Sequence, residues 1–288
     1  MQKAACSHTD GKFCTHLPII KIDTNGKTIP GEPILDASSG RTLQYTMSET
    51  GEETILSKLS VIDNVGENNH IEDAPSVSSD IRIRIRGNSS RHFEKKGYII
   101  KMITSGGLNN PQSLIGMDAH HEWALHGPYL DKTLIRNYIC YNLAGDIMGY
   151  APNVRFCELI LNGEYRGLYL LTETITAGKM GARLELSINK KDNSFSGYLL
   201  RLDRGRNTEL KNINNFTIYT YKTDSKVNIV YPGNANLTPF IASEICEDFS
   251  DFEKALYSYD YDSEDFGYEN YIDVNSFIDY FLINEFTS

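Results

Sequence analysis

The 288-residue chain is 40% hydrophobic and 23% charged, enough apolar content to bury the core of one large domain or of two lobes. Its formal net charge of −10 argues against broad nucleic-acid or membrane-surface binding, because a polyanion is repelled except at a local basic patch. No run approaches the roughly 18 apolar residues of a membrane span, and the polar start MQKAACSHTDGKFCTH lacks the apolar core of a signal peptide, although its AAC resembles the end of a bacterial lipoprotein signal.

Residues 1–17 read as a tail, and residues 18–80 as an N-terminal β region. LPIIKIDT is a strand closed by the turn NGK, and TLQYTMSE and TILSKLSVID also have β character. Residues 64–80 form a polar loop without periodicity. In RIRIRGNSSRHFEKKGYIIKM (82–102), Ile81, Ile83 and Ile85 alternate with Arg82, Arg84 and Arg86, the pattern of a half-buried strand; Tyr98 to Ile103 is its expected partner.

In 132–152, Leu134, Ile135, Tyr138, Ile139, Leu143 and Ile147 recur at helical spacing, with a stop expected near Gly149. Residues 155–175 predict a hairpin around the Asn-Gly of LNGEYRG, and 196–203 and 215–223 are further strands. A helix over 238–258 carries Phe240, Ile241, Ile245, Phe249, Phe252 and Leu256 on one stripe. Another begins at Asp273, a good N-cap, and its Phe277, Ile278, Phe281, Leu282 and Phe286 call for a packing partner. The fold class is therefore α+β, with β structure first and helix last.

Five cysteines without a CxxC make a zinc cluster implausible; Cys140 and Cys157 read as buried thiols, and Cys6 and Cys14 could pair in an oxidising compartment. HHEWALH (120–126) is a false zinc-protease motif. HExxH needs histidines four apart, whereas His121 and His126 are five apart, roughly 140° around a helix. The acidic stretch 259–273 fails as a calcium loop, with Asp265 where glycine belongs and Tyr271 where glutamate belongs.

The loop after Arg86 admits two readings. Its Gly, Asn and Ser can present backbone N–H groups to an anion, with Arg91, Lys95, Lys96 and Lys101 adding charge. It can equally be a surface hairpin, and its Asn-Ser-Ser is also a formal glycosylation sequon. Glu173, just after an apolar strand, could pair with a lysine such as Lys101 if the hairpins stack, which is the logic of a kinase small lobe; alternatively it faces water.

Several blocks resemble the CotH spore-coat kinase family, over most of the chain from about Leu17. IRIRGNSSRHFEKKGYIIKM is similar to its RGNS…KKxYxIK segment, LIGMDAHHEWALHGPYLDKTLIRNYICYNLA to its LLGM…WVL…DKSLMRN…A block, and YAPNVRFCELILNGEYRGLYLLTE to its APxxxFVEVFLNGxYxGxYLLTE block. GYLLRLD and SFIDYFLINEFT match later blocks. The resemblance implies an atypical kinase-like fold, with residues 81–203 as a nucleotide-binding lobe and 204–288 as the start of a second. It implies transfer of the ATP γ-phosphate to protein serine or threonine with Mg²⁺ or Mn²⁺. Asn88, Ser89 and Ser90 would cover the phosphates, Lys101 (with Lys96 as rival) would neutralise them, and Glu173 would position that lysine. Arg136 and Asn137 lie in a family block with no role beyond helix packing.

The family's presumed catalytic Asp, in an NxD segment, and its WDFD-like metal motif follow the INEFT helix, and this chain stops at Ser288 before both. The expectation is that this exact chain is inactive or nearly so, with Asp203 and Glu285 as weak substitutes. The resemblance implies a bacterial protein that is extracellular, on the cell surface or in the spore coat, acting on a surface or coat protein. The rival is a non-catalytic coat or cell-surface binding and assembly module, since fold alone does not settle function. Eighteen tyrosines hint at carbohydrate binding, but a single Trp gives that little support.

Overall fold

The computed structural model describes residues 13–177, 184–202, 212–219 and 224–287, and contacts divide the chain into two units, Met1–Thr174 and Ile175–Ser288. That division falls well before the 203/204 boundary expected from sequence. Strands from the 18–80 and 81–203 segments also share one barrel in the first unit.

In chain order the first unit has β1 (Cys14–Thr15), β2 (Ile19–Asp23), β3 (Pro33–Leu35), β4 (Thr42–Tyr45), β5 (Ile55–Ile62), β6 (Asn69–His70), β7 (Val77–Arg86), β8 (Gly97–Ile103), β9 (Glu122–His126), α1 (Arg136–Ile147), β10 (Val154–Leu161) and β11 (Glu164–Glu173). Seven strands close a barrel in the order β10-β11-β9-β8-β7-β5-β2. All neighbours are antiparallel except β2 and β10, whose parallel pairing joins the ends of the sheet and leaves it no free edge.

Alternation explains the wall. Ile81, Ile83 and Ile85 point inward and are 0–3% exposed, while the intervening arginines point out. Each such burial contributes roughly 2 kcal/mol. The interior is filled by Ile20, Leu59, Ile100, Met102, Trp123, Leu125, Leu159 and Leu171, and Leu114 and Met117 join the same core. It is a packed core and not a ligand chamber. A cavity of about 900 Å³ lies outside the wall, where Lys21, Asp23, Lys58, Ser60, Ser78 and Asp80 alternate with the core residues.

EWALH of this motif is strand β9, preceded by non-helical His120 and His121, so the helical angle between His121 and His126 does not apply; Trp123 and Leu125 face the core. The loop expected over 64–80 contains β6 and the start of β7. The hairpin turn at Asn162–Gly163 has the positive φ values, 52° and 80°, that favour this dipeptide.

Helix α1 begins later than its periodicity suggests. Asp131 accepts hydrogen bonds from the Thr133 and Arg136 backbone N–H groups at 3.0 Å each, and Leu134 sits at φ +63°. Its apolar stripe is not core: Ile135, Ile139, Leu143 and Ile147 remain 38–50% exposed, and Tyr138 stacks on Phe156 of β10, ring centroids 4.6 Å apart. Cys157 is buried, as expected, but Cys140 is only half-buried, and Cys6 lies outside the described residues.

The second unit contains β12 (Ile188–Asn189), β13 (Ser194–Phe195), β14 (Leu199–Leu202), β15 (Asn215–Tyr219), β16 (Asp224–Tyr231), α2 (Pro239–Leu256) and α3 (Val274–Thr287). A sheet of order β14-β16-β15 shares a small core with α2 through Leu200, Phe216, Ile229, Ile241 and Ile245. Phe240 and Leu256, expected on the buried stripe of α2, are 55% and 40% exposed. Thr238 caps α2 by accepting from the Ile241 N–H at 3.2 Å, and Asp273 caps α3 by accepting from the Ser276 N–H at 3.0 Å. Among the described residues, no helix is long and apolar enough to cross a membrane.

Candidate functional site

The loop between β7 and β8 holds most of the sequence-selected residues. It opens on Gly87 at φ +116°, where an added Cβ would lie 1.9 Å from Ser90 Oγ, so only glycine fits the backbone. Ser89–His92 then makes one 3₁₀ turn. Arg91 is 9% exposed; its Nε donates to Gly87 O at 2.5 Å and its Nη1 to Gly31 O at 3.1 Å. Its guanidinium lies 4.0 Å from the Tyr45 ring centre. Lys96 Nζ donates to Glu32 Oε2 at 2.8 Å and to Arg91 O at 2.6 Å. The Tyr45 hydroxyl donates to Asn88 Oδ1 at 3.4 Å, and Thr42 Oγ1 meets His92 Nε2 at 3.2 Å.

The β3–β4 hairpin and the basic loop therefore clasp each other. Two of the loop's cations, Arg91 and Lys96, are engaged in that clasp. Asn88 and Ser89 stay exposed, whereas Ser90 is half-buried with its hydroxyl against Gly87. Lys95 turns the other way: its Nζ sits 4.8 Å over the Tyr169 ring. Gly127 makes room for its stem, since a Cβ there would be 2.9 Å from Lys95 Cγ. Burial pulls the Lys95 pKa below the usual lysine value, against the opposing pull of Glu158.

The structure does not bring Lys101 and Glu173 together. Lys101 lies opposite Arg82 on β7 and Glu122 on β9, all facing outward. Glu173 lies opposite Trp123, which in turn lies opposite Ile100, and both of those face the core. The expected pair is thus separated by the sheet itself. Glu173 does not face water either. It is 3% exposed, and its carboxylate accepts from the Asn153 backbone N–H at 3.0 Å and from Asn153 Nδ2 at 2.9 Å, tying β11 to the entry of β10.

Arg136 is exposed, its Nε 3.7 Å from Asp131 Oδ1, and Asn137 is half-buried in the first turn of α1. Glu285 is exposed on α3, and Asp203 lies outside the described residues.

Sequence reasoning treated the β7 arginines as a charged outer face and gave them no role. Arg82 is held loosely, 3.7 Å from Glu52 and 3.4 Å from Thr54 Oγ1. Among the described residues, no hydrogen bond or ion pair is made by the side chains of Arg84, Arg86 or Lys101. At the end of β9, burial lowers the pKa of His126, and the nearby charges of Arg86 and Lys95 push the same way against Asp131. Among the described residues, no group of three or more His, Cys, Asp or Glu side chains is placed to hold a metal ion. The arrangement can attract an anion to the outer face of β7 and β8.

These features define an α+β protein built on a closed barrel, with a clasped basic loop at one end and a cationic stripe on the wall. The chain belongs to the CotH kinase protein family, whose family model matches residues 83–288. It is also similar to the inner spore coat protein H of Bacillus subtilis (strain 168), at 29% identity over 96 residues. That stretch is 33% of this chain and 24% of the relative's length, so the chain matches about a quarter of that protein. Strands β2 and β5, which complete the barrel, precede the span matched by the family model.

Proposed function

We propose that the chain is part of a CotH-type spore-coat protein whose whole form is a kinase-like enzyme. In this reading it transfers the γ-phosphate of ATP to serine or threonine of a coat or surface protein. The observation that carries this reading is the family match over residues 83–288. The name of the Bacillus relative supports association with the spore coat. ATP with Mg²⁺ or Mn²⁺ is the expected cofactor pair. On this reading the described residues engage the nucleotide through its phosphates. Asn88, Ser89 and Ser90 form the rim of that contact and Lys101 supplies charge from the outer face, while Lys96 and Glu173 keep the internal partners described above.

Calorimetric titration with ATP, with and without Mn²⁺, tests this reading. Wild-type chain is expected to bind, and Lys101→Ala to bind about tenfold more weakly, the loss of one charge-assisted contact. Equal binding by the variant removes Lys101 from the site, and no binding by wild type removes the nucleotide reading for these residues. The second reading, a non-catalytic binding and assembly module of the coat, is favoured by two observations. Arg91 and Lys96 are engaged within the fold, and Lys101 and Glu173 lie on opposite faces.

A further inference from the structure

We infer that the outer face of β7 is a docking stripe for an extended acidic segment of a partner protein. The stripe is Arg82, Arg84 and Arg86, flanked by Lys101 across the ladder from Arg82. Arg84 and Arg86 make no ion pair or hydrogen bond among the described residues, and Arg82 has only the loose contacts to Glu52 and Thr54. Arg84 and Arg86 thus stay unneutralised on a chain of net charge −10.

Three physical points select the ligand. First, the overall negative charge repels a long polyanion, whereas a short acidic segment meets the stripe without overlapping the rest of the surface. Second, outward residues on a strand recur about every 6.8 Å, so the three arginines span roughly 13 Å. An extended peptide repeats its own side chains at the same interval. Carboxylates at alternate positions can therefore face successive guanidinium groups in register, with the bidentate geometry that arginine favours. Third, β7 pairs with β8 over Asp80–Arg86 and with β5 over Val77–Ile83, and beyond that the Ile85 N–H donates to Pro30 O at 2.8 Å, so the peptide cannot add as a strand. It must lie on the face and be read through side chains. Leu56, 49% exposed and directly opposite Arg82, gives one apolar contact at the end of the stripe.

Lys101 is common to this stripe and to the nucleotide reading, so the test is placed on Arg84 and Arg86, which the nucleotide reading does not use. The probe is a fluorescein-labelled short peptide of alternating Glu and Ser, followed by anisotropy at low salt. Wild-type chain is expected to bind it and to lose it at physiological salt as the charges are screened. Arg84→Ala/Arg86→Ala, checked for an unchanged melting curve, is expected to bind about tenfold more weakly. Lys254→Ala, which removes an exposed charge in the second unit, is expected to bind as wild type does. The same double variant is expected to bind ATP as wild type does, because the nucleotide reading uses neither Arg84 nor Arg86. The inference is overturned if the wild-type chain fails to bind at low salt or if the double variant binds equally well.

Discussion

Arg91 is the keystone of the clasp between the β3–β4 hairpin and the β7–β8 loop, and Arg91→Ala should loosen both. The side chain donates to two backbone carbonyls and stacks on Tyr45. Hydrogen bonds from a charged donor contribute about 1.5–3 kcal/mol each, and a partly exposed cation–π contact about 0.5–1 kcal/mol. Water reaching the freed carbonyls recovers part of this, leaving a net loss of about 3 kcal/mol. For a unit of this length each kcal/mol moves Tm by about 2–4 °C, so a fall of about 6–12 °C is expected. Circular dichroism melting measures it. Limited trypsin digestion supplies the local readout, because Lys95 and Lys96 should become cleavable when the loop is released. Arg91→Lys, which keeps the charge but not the fork, should fall between the two. A variant melting within about a degree of wild type, with the loop equally resistant, would refute the brace.

Two further outcomes follow from buried polar groups. Ser57 is 4% exposed, faces the core opposite Ile81, and among the described residues its hydroxyl has no hydrogen-bond partner; Ser57→Ala should stabilise the barrel by about 1 kcal/mol in urea melts, and a loss of similar size would contradict the assignment. Burial also lowers the pKa of both His121 and His126, so the unfolded chain binds more protons than the folded one as pH falls. Stability should be full above the unfolded value of about 6.5, decline as pH drops through it toward the lower folded values, and then level off. Asp73 and Asp131, held below the usual carboxylate range chiefly by hydrogen bonds from His70 and Thr133, add their own loss only below about pH 4. His126→Gln should flatten part of the slope between neutral and mildly acidic pH, and an unchanged slope would exclude His126 as its source.

Local features were legible because their chemistry is local. The Ile–Arg alternation of β7 has one solution on a half-buried strand, and the structure shows it, with the isoleucines inside. The Asn162–Gly163 turn and the Asp273 cap were equally readable, since both are decided within a few residues. Strand β9 is not legible in HHEWALH, because its strand character comes from β8 and β11 on either side. The stripe of α1 shows the converse: periodicity specifies a face, but it does not say what covers that face.

The amino-acid sequence alone determined the α+β class, most of the strands and helices, the basic loop and the family. Tertiary structure decided which side of the wall each charged residue occupies. Leu168, Leu170 and Thr172 alternate with Tyr169, Leu171 and Glu173, and both sets begin with apolar residues, so YLLTE carries no phase of its own. Closure of the barrel set that phase, turning Glu173 inward onto Asn153 and leaving Lys101 outside beside Arg82. The same closure placed the β3–β4 hairpin against Arg91 and Lys96, engaging two of the cations that one of the two readings of the loop offered to an anion. Such pairings join residues about sixty positions apart, and only the ladder that brings them into contact determines which charges stay free.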